Sequence, residues 1–240
     1  YLATQKLGVV YMQNSGLGNT VNPITSLADS EVYKIPMLLM IGWRGEPDKK
    51  DEPQHKKMGR ITLPLLNTLE IPYKILPKNM PEAEKTIIEM KNIAEKESKP
   101  VALIIKKATL EKYLPKKEVK TNYEMKREDA IKVIIDNLSG LELIVSTTGK
   151  TSRELFEYRE EKNFGHQNDF LMVGSMGEAS VVGAEIALQK PNKKLIVFDG
   201  DGAAMMAMGA MDTMGVYSPK NLCHIIFDNG SYDSTGGQPT

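Results

Sequence analysis

The protein is 240 residues long, 41% hydrophobic and 26% charged, a balance typical of a folded chain with one large or two small domains. Its 31 basic and 31 acidic side chains give a formal net charge of zero, which argues against bulk binding to nucleic acid. No stretch approaches the roughly 20 consecutive apolar residues of a membrane helix, and a single cysteine excludes an intramolecular disulfide. We therefore expect a cytoplasmic protein that binds neither nucleic acid nor membrane.

Short, continuous apolar runs recur along the chain and predict strands that are buried on both faces of parallel sheets. The runs are residues 8–12, 37–41, 101–105, 143–145, 195–198 and 224–227. Between them, residues 81–96 and 125–138 have the length and the terminal charges of amphipathic helices. This alternation of strands and helices predicts an α/β fold with right-handed crossovers.

A charge-rich stretch between two strand-and-helix series indicates a domain boundary. Lysine is frequent over residues 106–120, which is typical of a solvated linker. We predict two α/β domains, residues 1–110 and 125–240, joined by a linker over residues 111–124. Each domain is expected to be a parallel sheet with helices on both faces. The first residues resemble the last turn of a helix and the last residues a glycine-rich turn, so we expect an internal fragment with both domains truncated.

Polar residues follow two of the predicted strands. Strand 195–198 runs into DGDGAA over residues 199–204, and strand 224–227 runs into DNGS over residues 228–231. The 28 positions from Asp201 to Asn229 accommodate one helix and one strand, so both side chains are expected at the carboxyl edge of neighbouring strands. Ligands of open α/β sheets bind at that edge. An N-capping aspartate in a glycine-rich turn is the weaker alternative, because the second strand end lies at the matching distance.

The residue types at this edge suit a divalent cation and an anion. Mg²⁺ prefers carboxylate, amide, carbonyl and phosphate oxygens, so the candidate metal ligands are Asp201, Asn229 and the carbonyl of Ser231. Gly200 and Gly202 allow close approach of the backbone. The candidate anion donors are the amides that open the following helix, those of Gly202, Ala203 and Ala204.

The spacing of these two motifs resembles the signature of thiamine-diphosphate-dependent enzymes. Asp228 departs from the asparagine that this family often has, but the metal-binding Asn229 is intact. Further motifs resemble the phosphonopyruvate decarboxylase family, to which sulfopyruvate decarboxylases are closely related. These motifs are MQNSGLGN (12–19), IGWRG (41–45), DEPQH (51–55), STTGKTSRE (146–154) and GSMG (174–177). The resemblance covers essentially the whole chain.

The resemblance implies a thiamine-diphosphate- and Mg²⁺-dependent carboxy-lyase acting on a small 2-oxo acid. It implies that the first domain is a pyrimidine-binding (Pyr) domain and the second a diphosphate-binding (PP) domain. In the family the cofactor lies between the Pyr domain of one subunit and the PP domain of another, so a homo-oligomer of at least two chains is expected. The family's activating glutamate is expected upstream of Tyr1.

Cofactor-binding roles also follow from the resemblance. In the loop of Gly174, Ser175 and Met176, the Gly174 carbonyl would meet the aminopyrimidine, and the Met176 side chain would hold the cofactor bent. The hydroxyl of Thr148 and the amide of Gly149, at the end of strand 143–145, would bind the diphosphate.

Three residues of the first domain are candidates for contact with the substrate. Gln13 would face the thiazolium, Arg44 would pair with an anionic group, and His55 would transfer a proton, since imidazole titrates near neutrality. Arg44 and His55 are equally compatible with solvated polar residues. Asn14 could face the thiazolium beside Gln13, and it is equally compatible with a turn residue. His166, in a polar loop of the second domain, is a further candidate for a substrate contact.

Three functions remain open at this point. The favoured one is decarboxylation of 3-phosphonopyruvate to phosphonoacetaldehyde and CO₂ in phosphonate biosynthesis. The alternatives are decarboxylation of sulfopyruvate or another 2-oxo acid, and a fragment without catalytic activity. The order of Pyr before PP in a single chain favours the phosphonate enzyme over relatives that are split into two polypeptides.

Overall fold

The computed structural model describes residues 4–111, 123–233 and 236–240. The chain divides into two compact units, Tyr1–Lys116 and Lys117–Thr240. Most of the predicted linker, residues 112–122, lies outside the described residues. Within the described ranges, none of the helices has both the length and the apolar character needed to cross a membrane.

The first unit is built on one four-stranded sheet. Its strands are β1 (Gly8–Gln13), β2 (Met37–Gly42), β3 (Tyr73–Ile75) and β4 (Pro100–Ile105). All neighbours pair in parallel, in the order β1-β2-β4-β3. The helical segments are a 3₁₀-helix (Asn14–Thr20), α1 (Val21–Pro23), a π-helix (Ile24–Ala28), α2 (Pro53–Thr68) and α3 (Met80–Glu97).

The central strand β2 shows why its sequence is continuously apolar. Successive side chains of a strand point to opposite faces of the sheet. Leu39 and Ile41 pack in a cluster with Leu66 of α2, whereas Leu38 packs in a second cluster with Met90 of α3. Both faces of the sheet are therefore covered by helices, as the sequence predicts.

The second unit repeats this plan. Its sheet contains β5 (Leu143–Ser146), β6 (Asp169–Leu171), β7 (Leu195–Gly200) and β8 (Leu222–Phe227), all parallel, in the order β6-β5-β7-β8. The helices are α4 (Arg127–Asp136), α5 (Lys150–Lys162), α6 (Ala179–Gln189), α7 (Asp201–Met206) and α8 (Gly209–Tyr217). A two-stranded antiparallel hairpin, β9 (Ser231–Tyr232) with β10 (Gln238–Pro239), follows β8.

The two faces of the second sheet are also covered by helices. Phe198 packs with Ile131 of α4 and Leu155 of α5, whereas Val197 packs with Ala187 of α6. The predicted α/β fold with parallel sheets flanked by helices is confirmed.

Two sequence-based expectations need correction. Burial on both faces is wrong for β1 and β8, because each lies at an edge of its sheet. Tyr11 is 73% exposed and Ile226 is 40% exposed. The helix predicted over residues 125–138 begins at Arg127, because Lys126 is in the extended conformation of a helix N-cap.

Candidate functional site

The carboxyl edge of the second sheet brings the candidate metal ligands onto neighbouring strands. Gly200 and Phe227, the last residues of β7 and β8, are paired in register. Asp201 and Asp228 therefore follow directly at adjacent strand ends, and Asn229 comes one residue later. Asp201 is also the first residue of α7, so its carboxylate lies at a helix N-terminus, where negative charge is stabilised.

Each of these side chains has a partner within its own unit. The hydroxyl of Thr240 donates to Oδ2 of Asp201 over 2.7 Å. The backbone N–H of Ser231 donates to Oδ1 of Asn229 over 2.9 Å, and the N–H of Gly230 donates to Oδ1 of Asp228 over 2.8 Å. Side chains that accept from a backbone N–H two residues later form Asx turns, which fix the local path of the chain. The loop after β8 is thus held in shape by its own Asp and Asn.

Gly202 is required by close packing at the start of α7. A Cβ atom at this position would lie 2.6 Å from the ring of Tyr232 in β9. The hairpin therefore covers the first turn of α7. Gly202 is buried, and the absence of a side chain there lets the hairpin pack directly on the backbone of this turn.

The Gly174–Met176 loop lies against the same helix start. A Cβ atom at Gly177, which has a positive φ, would lie 3.1 Å from the carbonyl oxygen of Ala203. Ser175 in the same loop has a φ of 52°, a left-handed conformation that is uncommon for residues other than glycine. Met176 is half-buried. The structure therefore brings this loop together with the start of α7, which follows β7.

The end of β5 is joined to this loop as well. Thr148 donates from its hydroxyl to the carbonyl of Val173 over 2.7 Å, immediately before Gly174. Gly149 has φ 100° and ψ −137°, a conformation that is essentially restricted to glycine, and it caps the N-terminus of α5. The sharp turn places the first N–H groups of α5 at the sheet edge, where they have no partner within the helix.

Two buried hydroxyls at this edge lack a hydrogen-bond partner within the described part of the chain, and they bear on whether the edge suits a diphosphate. The Oγ of Ser146 and the Oγ1 of Thr147, at the end of β5, are buried and have no hydrogen-bond partner among the described residues. Unpaired buried donors are costly, so these hydroxyls are free to bind a water molecule or a polar ligand. Among the described residues, no group of three or more His, Cys, Asp or Glu side chains is arranged so that it could hold a metal ion. The residues present fit a Mg²⁺ that takes one carboxylate, an amide and a carbonyl from the protein and its other oxygens from a diphosphate.

Arg127 is a residue at this edge that sequence reasoning missed. Its guanidinium donates to both carboxylate oxygens of Glu154 over 2.7 Å, and this pair raises the pKa of Arg127. The charges of Asp233 and Asp201 raise it further. The pair borders an open pocket of about 800 Å³ whose other walls include Phe227 and Asn229. The sequence predicts only that Arg127 lies in the first turn of a helix. It does not indicate the pair with Glu154.

The first unit has a pocket of its own at the carboxyl edge of its sheet. This pocket of about 590 Å³ contains Gln13 and Arg44 among its lining residues. Arg44 donates from Nε and Nη2 to the carboxylate of Asp51, which also accepts from the backbone N–H of Gly45 over 2.7 Å. These contacts hold the pKa of Asp51 far below its usual range and raise that of Arg44. Arg44 is thus a fixed cation in a pocket.

Asn14 has a structural role in this unit. It is completely buried, and its Nδ2 donates to the carbonyl of Arg44 over 2.8 Å and to Oγ1 of Thr62 over 2.9 Å. Its Oδ1 accepts from the N–H of Arg44 over 3.0 Å. Asn14 therefore positions the backbone of Arg44, and all of its polar atoms are used within the protein.

The two candidate histidines lie in different surroundings. His55 is in the first turn of α2, and burial followed by the charge of Arg44 lowers its pKa, which favours the neutral imidazole. His166 lies between α5 and β6, at the amino edge of the second sheet. There it stacks on Phe156 with a centroid distance of 4.3 Å and contacts Glu160. Since Asp201 lies at the opposite edge, His166 is not part of the same site within one chain.

Comparison with known proteins gives the class of the second unit. Residues 147–240, which include the four loops of the carboxyl edge, match the family described as thiamine pyrophosphate enzyme, C-terminal TPP binding domain. The thiamine-diphosphate-binding fold expected for this part of the chain is confirmed.

Two relatives resemble the chain through both units, and a third aligns with about half of it. It is 34% identical to a phosphonopyruvate decarboxylase of Streptomyces viridochromogenes, over 98% of this chain and 61% of that protein. It is 30% identical to a sulfopyruvate decarboxylase of Methanosarcina acetivorans, over 100% of this chain and 64% of that protein. A sulfopyruvate decarboxylase subunit beta of Methanocaldococcus jannaschii is 43% identical over 48% of this chain and 58% of that protein. The predicted resemblance is confirmed, and the chain spans about three fifths of the length of these relatives.

One argument from the sequence is limited by these relatives. The order of the two domains in a single chain was expected to favour the phosphonate enzyme over relatives that are split into two polypeptides, such as the one with a beta subunit. The relative from Methanosarcina acetivorans is a single protein named sulfopyruvate decarboxylase, and it aligns with the whole of this chain. Domain order therefore does not separate the two substrates.

Proposed function

We propose that the protein is a thiamine-diphosphate- and Mg²⁺-dependent carboxy-lyase that converts 3-phosphonopyruvate to phosphonoacetaldehyde and CO₂ in phosphonate biosynthesis. The observation that carries the proposal is the meeting of four loops at one sheet edge, those after β5, β6, β7 and β8. The similarity to a phosphonopyruvate decarboxylase over 98% of the chain supports it. We further propose that residues 1–110 form the Pyr domain and residues 125–240 the PP domain.

In this proposal the second unit holds the cofactor. Mg²⁺ is bound by Asp201, Asn229 and the carbonyl of Ser231. On binding the cation, Asp201 gives up its hydrogen bond from Thr240, and Asn229 gives up its hydrogen bond from the N–H of Ser231. The diphosphate is bound by Thr148 and by backbone amides, those of Gly149, Ser175, Gly202, Ala203 and Ala204, and Gly200 allows close approach of the backbone. Gly174 and Met176 contact the organic part of the cofactor. Thiamine diphosphate, when bound, supplies the electron sink that decarboxylation requires.

The first unit contributes the substrate-facing side chains. Arg44 binds an anionic group of the substrate, because Asp51 and Asn14 fix its guanidinium and its backbone. Gln13, in the same pocket, orients the substrate by hydrogen bonds. His55 accepts or returns a proton, and its lowered pKa keeps it in the neutral form needed to accept one near pH 7.

We propose that the working form is a cytoplasmic homo-oligomer of at least two chains. The support is the family's arrangement, in which the cofactor lies between domains of two subunits. A relative that is itself named as a subunit, the sulfopyruvate decarboxylase beta subunit, is in line with an assembly of several chains.

Sulfopyruvate is the second candidate substrate. The similarity to the Methanosarcina acetivorans protein extends over the whole chain, and the beta subunit reaches 43% identity over part of it. Both substrates are 2-oxo acids with a tetrahedral oxyanion, and they differ in the charge of that group.

The test is CO₂ release by the full-length protein, with thiamine diphosphate and Mg²⁺, from 3-phosphonopyruvate, sulfopyruvate and pyruvate. We expect the highest kcat/KM with 3-phosphonopyruvate. Asp201→Asn removes the only carboxylate of the metal site and should weaken Mg²⁺ binding by about tenfold or more. Asp228→Asn is the matched control, because an asparagine oxygen still accepts from Gly230 and the family often has asparagine there. A protein that binds the cofactor but decarboxylates none of the three acids would refute the proposal.

A further inference from the structure

The pocket of the first unit has a strongly biased charge. Its volume of about 590 Å³ lies where β1, β2 and β4 end, at Gln13, Gly42 and Ile105. Its ionisable lining consists of five cations and two carboxylates: Arg44, Lys49, Lys50, Lys106 and Lys107, with Glu46 and Asp51. In a protein whose formal net charge is zero, this local surplus of positive charge favours an anionic ligand.

The two carboxylates fix two of the cations. Arg44 is paired with Asp51 at 2.6 Å, and Lys106 is paired with Glu46 at 2.9 Å. The carboxylates are the sheltered partners: the Asp51 side chain is 14% exposed, against 42% for that of Arg44. All four side chains line the pocket, but the acids are less exposed than the cations they hold, so the cations are more accessible to a ligand.

Three lysines of the lining remain available to a ligand. Among the described residues, Lys49, Lys50 and Lys107 form no ion pair. Arg44 also has N–H donors that Asp51 does not use, because a guanidinium has five N–H groups and Asp51 accepts only from Nε and Nη2. A tetrahedral oxyanion has three terminal oxygens and can accept from several such donors at once.

The remaining lining is apolar and suits a small organic ligand. Met12, Trp43 and Ile105 contribute to the walls, and Lys106 lies 5.7 Å from the centre of the Trp43 ring. The volume lies in the usual range for small-molecule sites, about 300–1,000 Å³. The pocket thus combines an apolar wall for a short carbon chain with a cationic rim.

From this geometry we infer that the pocket is a binding site for a doubly charged tetrahedral oxyanion, the phosphonate group of a small 2-oxo acid. This inference rests on the proposed function and deepens it, because it names the feature that distinguishes phosphonopyruvate from sulfopyruvate. A phosphonate carries up to two negative charges and a sulfonate only one. A site with this surplus of cations binds the dianion more tightly.

The single tryptophan of the chain provides a direct measurement. Because Trp43 lines the pocket, a ligand there should change its fluorescence without any need for catalysis or cofactor. The full-length protein is titrated with methylphosphonate at a pH where that probe is doubly charged, and with methanesulfonate and acetate at equal ionic strength. We expect a saturable change with methylphosphonate, binding weaker by about tenfold or more with methanesulfonate, and no saturable change with acetate.

Paired lysine variants locate the site. Lys50→Gln/Lys107→Gln removes two exposed charges of the pocket and should weaken methylphosphonate binding by about tenfold or more. Lys85→Gln/Lys96→Gln removes two exposed charges from α3 and should leave the affinity unchanged. Both pairs lie on the surface, so neither should disturb folding.

The outcomes separate this inference from the proposed function. Binding of methylphosphonate without decarboxylation of any 2-oxo acid would support the site and refute the function. Decarboxylation of 3-phosphonopyruvate with the same KM in the Lys50→Gln/Lys107→Gln variant would refute the site and leave the function intact. Equal affinities for methylphosphonate and methanesulfonate would refute selection of the dianion.

Discussion

The carboxylate of Asp199 lies 3.3 Å from Nε2 of His224, and Asp199 is completely buried. Val197 is paired with His224 in the sheet, so Asp199, two residues further along β7, lies on the same face as His224. The other oxygen of Asp199 accepts from the N–H of Gly200 over 3.0 Å. This pair therefore links the two strands that present Asp201 and Asn229, directly below the turn that holds Asp201.

Replacement of Asp199 by alanine should loosen this turn. The change leaves the N–H of Gly200 and the ring of His224 without their partner, so we expect the free energy of unfolding to fall by about 1–3 kcal/mol. Mg²⁺-dependent binding of thiamine diphosphate, measured by calorimetry, should weaken as well. Asp212→Ala, on the exposed face of α8, is the control and should change the stability by less than about 0.5 kcal/mol. Unchanged stability and affinity in Asp199→Ala would show that the pair does not support the turn.

A substitution at Met176 should slow turnover without weakening cofactor binding. Met176→Ala should leave binding of thiamine diphosphate nearly unchanged, because the charged groups of the diphosphate are held elsewhere, and should slow decarboxylation by removing an apolar contact. Single-turnover kinetics of the full-length protein measure the effect. Met80→Ala, in the first turn of α3 and highly exposed, should behave like the wild type. Wild-type single-turnover rates in Met176→Ala would exclude the proposed contact.

The central strands were predictable because a strand that is buried on both faces has a continuous run of apolar residues. β2 and β7 each contact helices on both sides, and this requires an apolar residue at nearly every position. The short strands β3 and β6 were not predicted. Each has three residues at a sheet edge, and polar side chains such as Lys74 and Asp169 interrupt their apolar pattern.

The candidate site was predictable where it depends on strand ends and not where it depends on distant contacts. The Asp201 and Asp228-Asn229 motifs follow strands that were visible in the sequence, so their common edge could be inferred. The role of Asn14 depends on Thr62, which lies 48 residues away, and on the backbone of Arg44. No local sequence pattern indicates such a contact. From the sequence, Asn14 was therefore equally compatible with a turn residue and with a residue that faces the thiazolium.

Gly59 should not tolerate a side chain. A Cβ atom there would lie 1.7 Å from the carbonyl oxygen of Gly45, and the carbonyl of Gly59 accepts from the indole N–H of Trp43 over 2.8 Å. Gly59→Ala should therefore push α2 away from the Arg44 loop and lower the free energy of unfolding by about 1–3 kcal/mol. It should also shift the fluorescence of Trp43. Gly8→Ala is the control, because no atom lies within 4 Å of a Cβ at that position. Equal stability of the two variants would contradict the close contact.

Asp51 should make the protein sensitive to acid. Its pKa is lowered from an ordinary value of 3.8, chiefly by the hydrogen bonds from Arg44, so the folded state binds fewer protons than the unfolded state in this range. The resulting stability is present above the unfolded pKa and is lost as the pH falls through the lower, folded pKa. Asp51→Asn should be less stable than the wild type at neutral pH, and its stability should fall less steeply below about pH 4.

Denaturant unfolding of the full-length protein at a series of pH values measures this difference. Asp48→Asn is the matched control, because Asp48 lies in the same loop, is exposed and forms no ion pair among the described residues. Its stability should follow the wild-type pH dependence throughout. Parallel curves for Asp51→Asn and the wild type would mean that the contact with Arg44 does not stabilise the ionised carboxylate. A flatter curve for Asp51→Asn alone would show that the ionised carboxylate of Asp51, held by Arg44, contributes to the stability of the wild type.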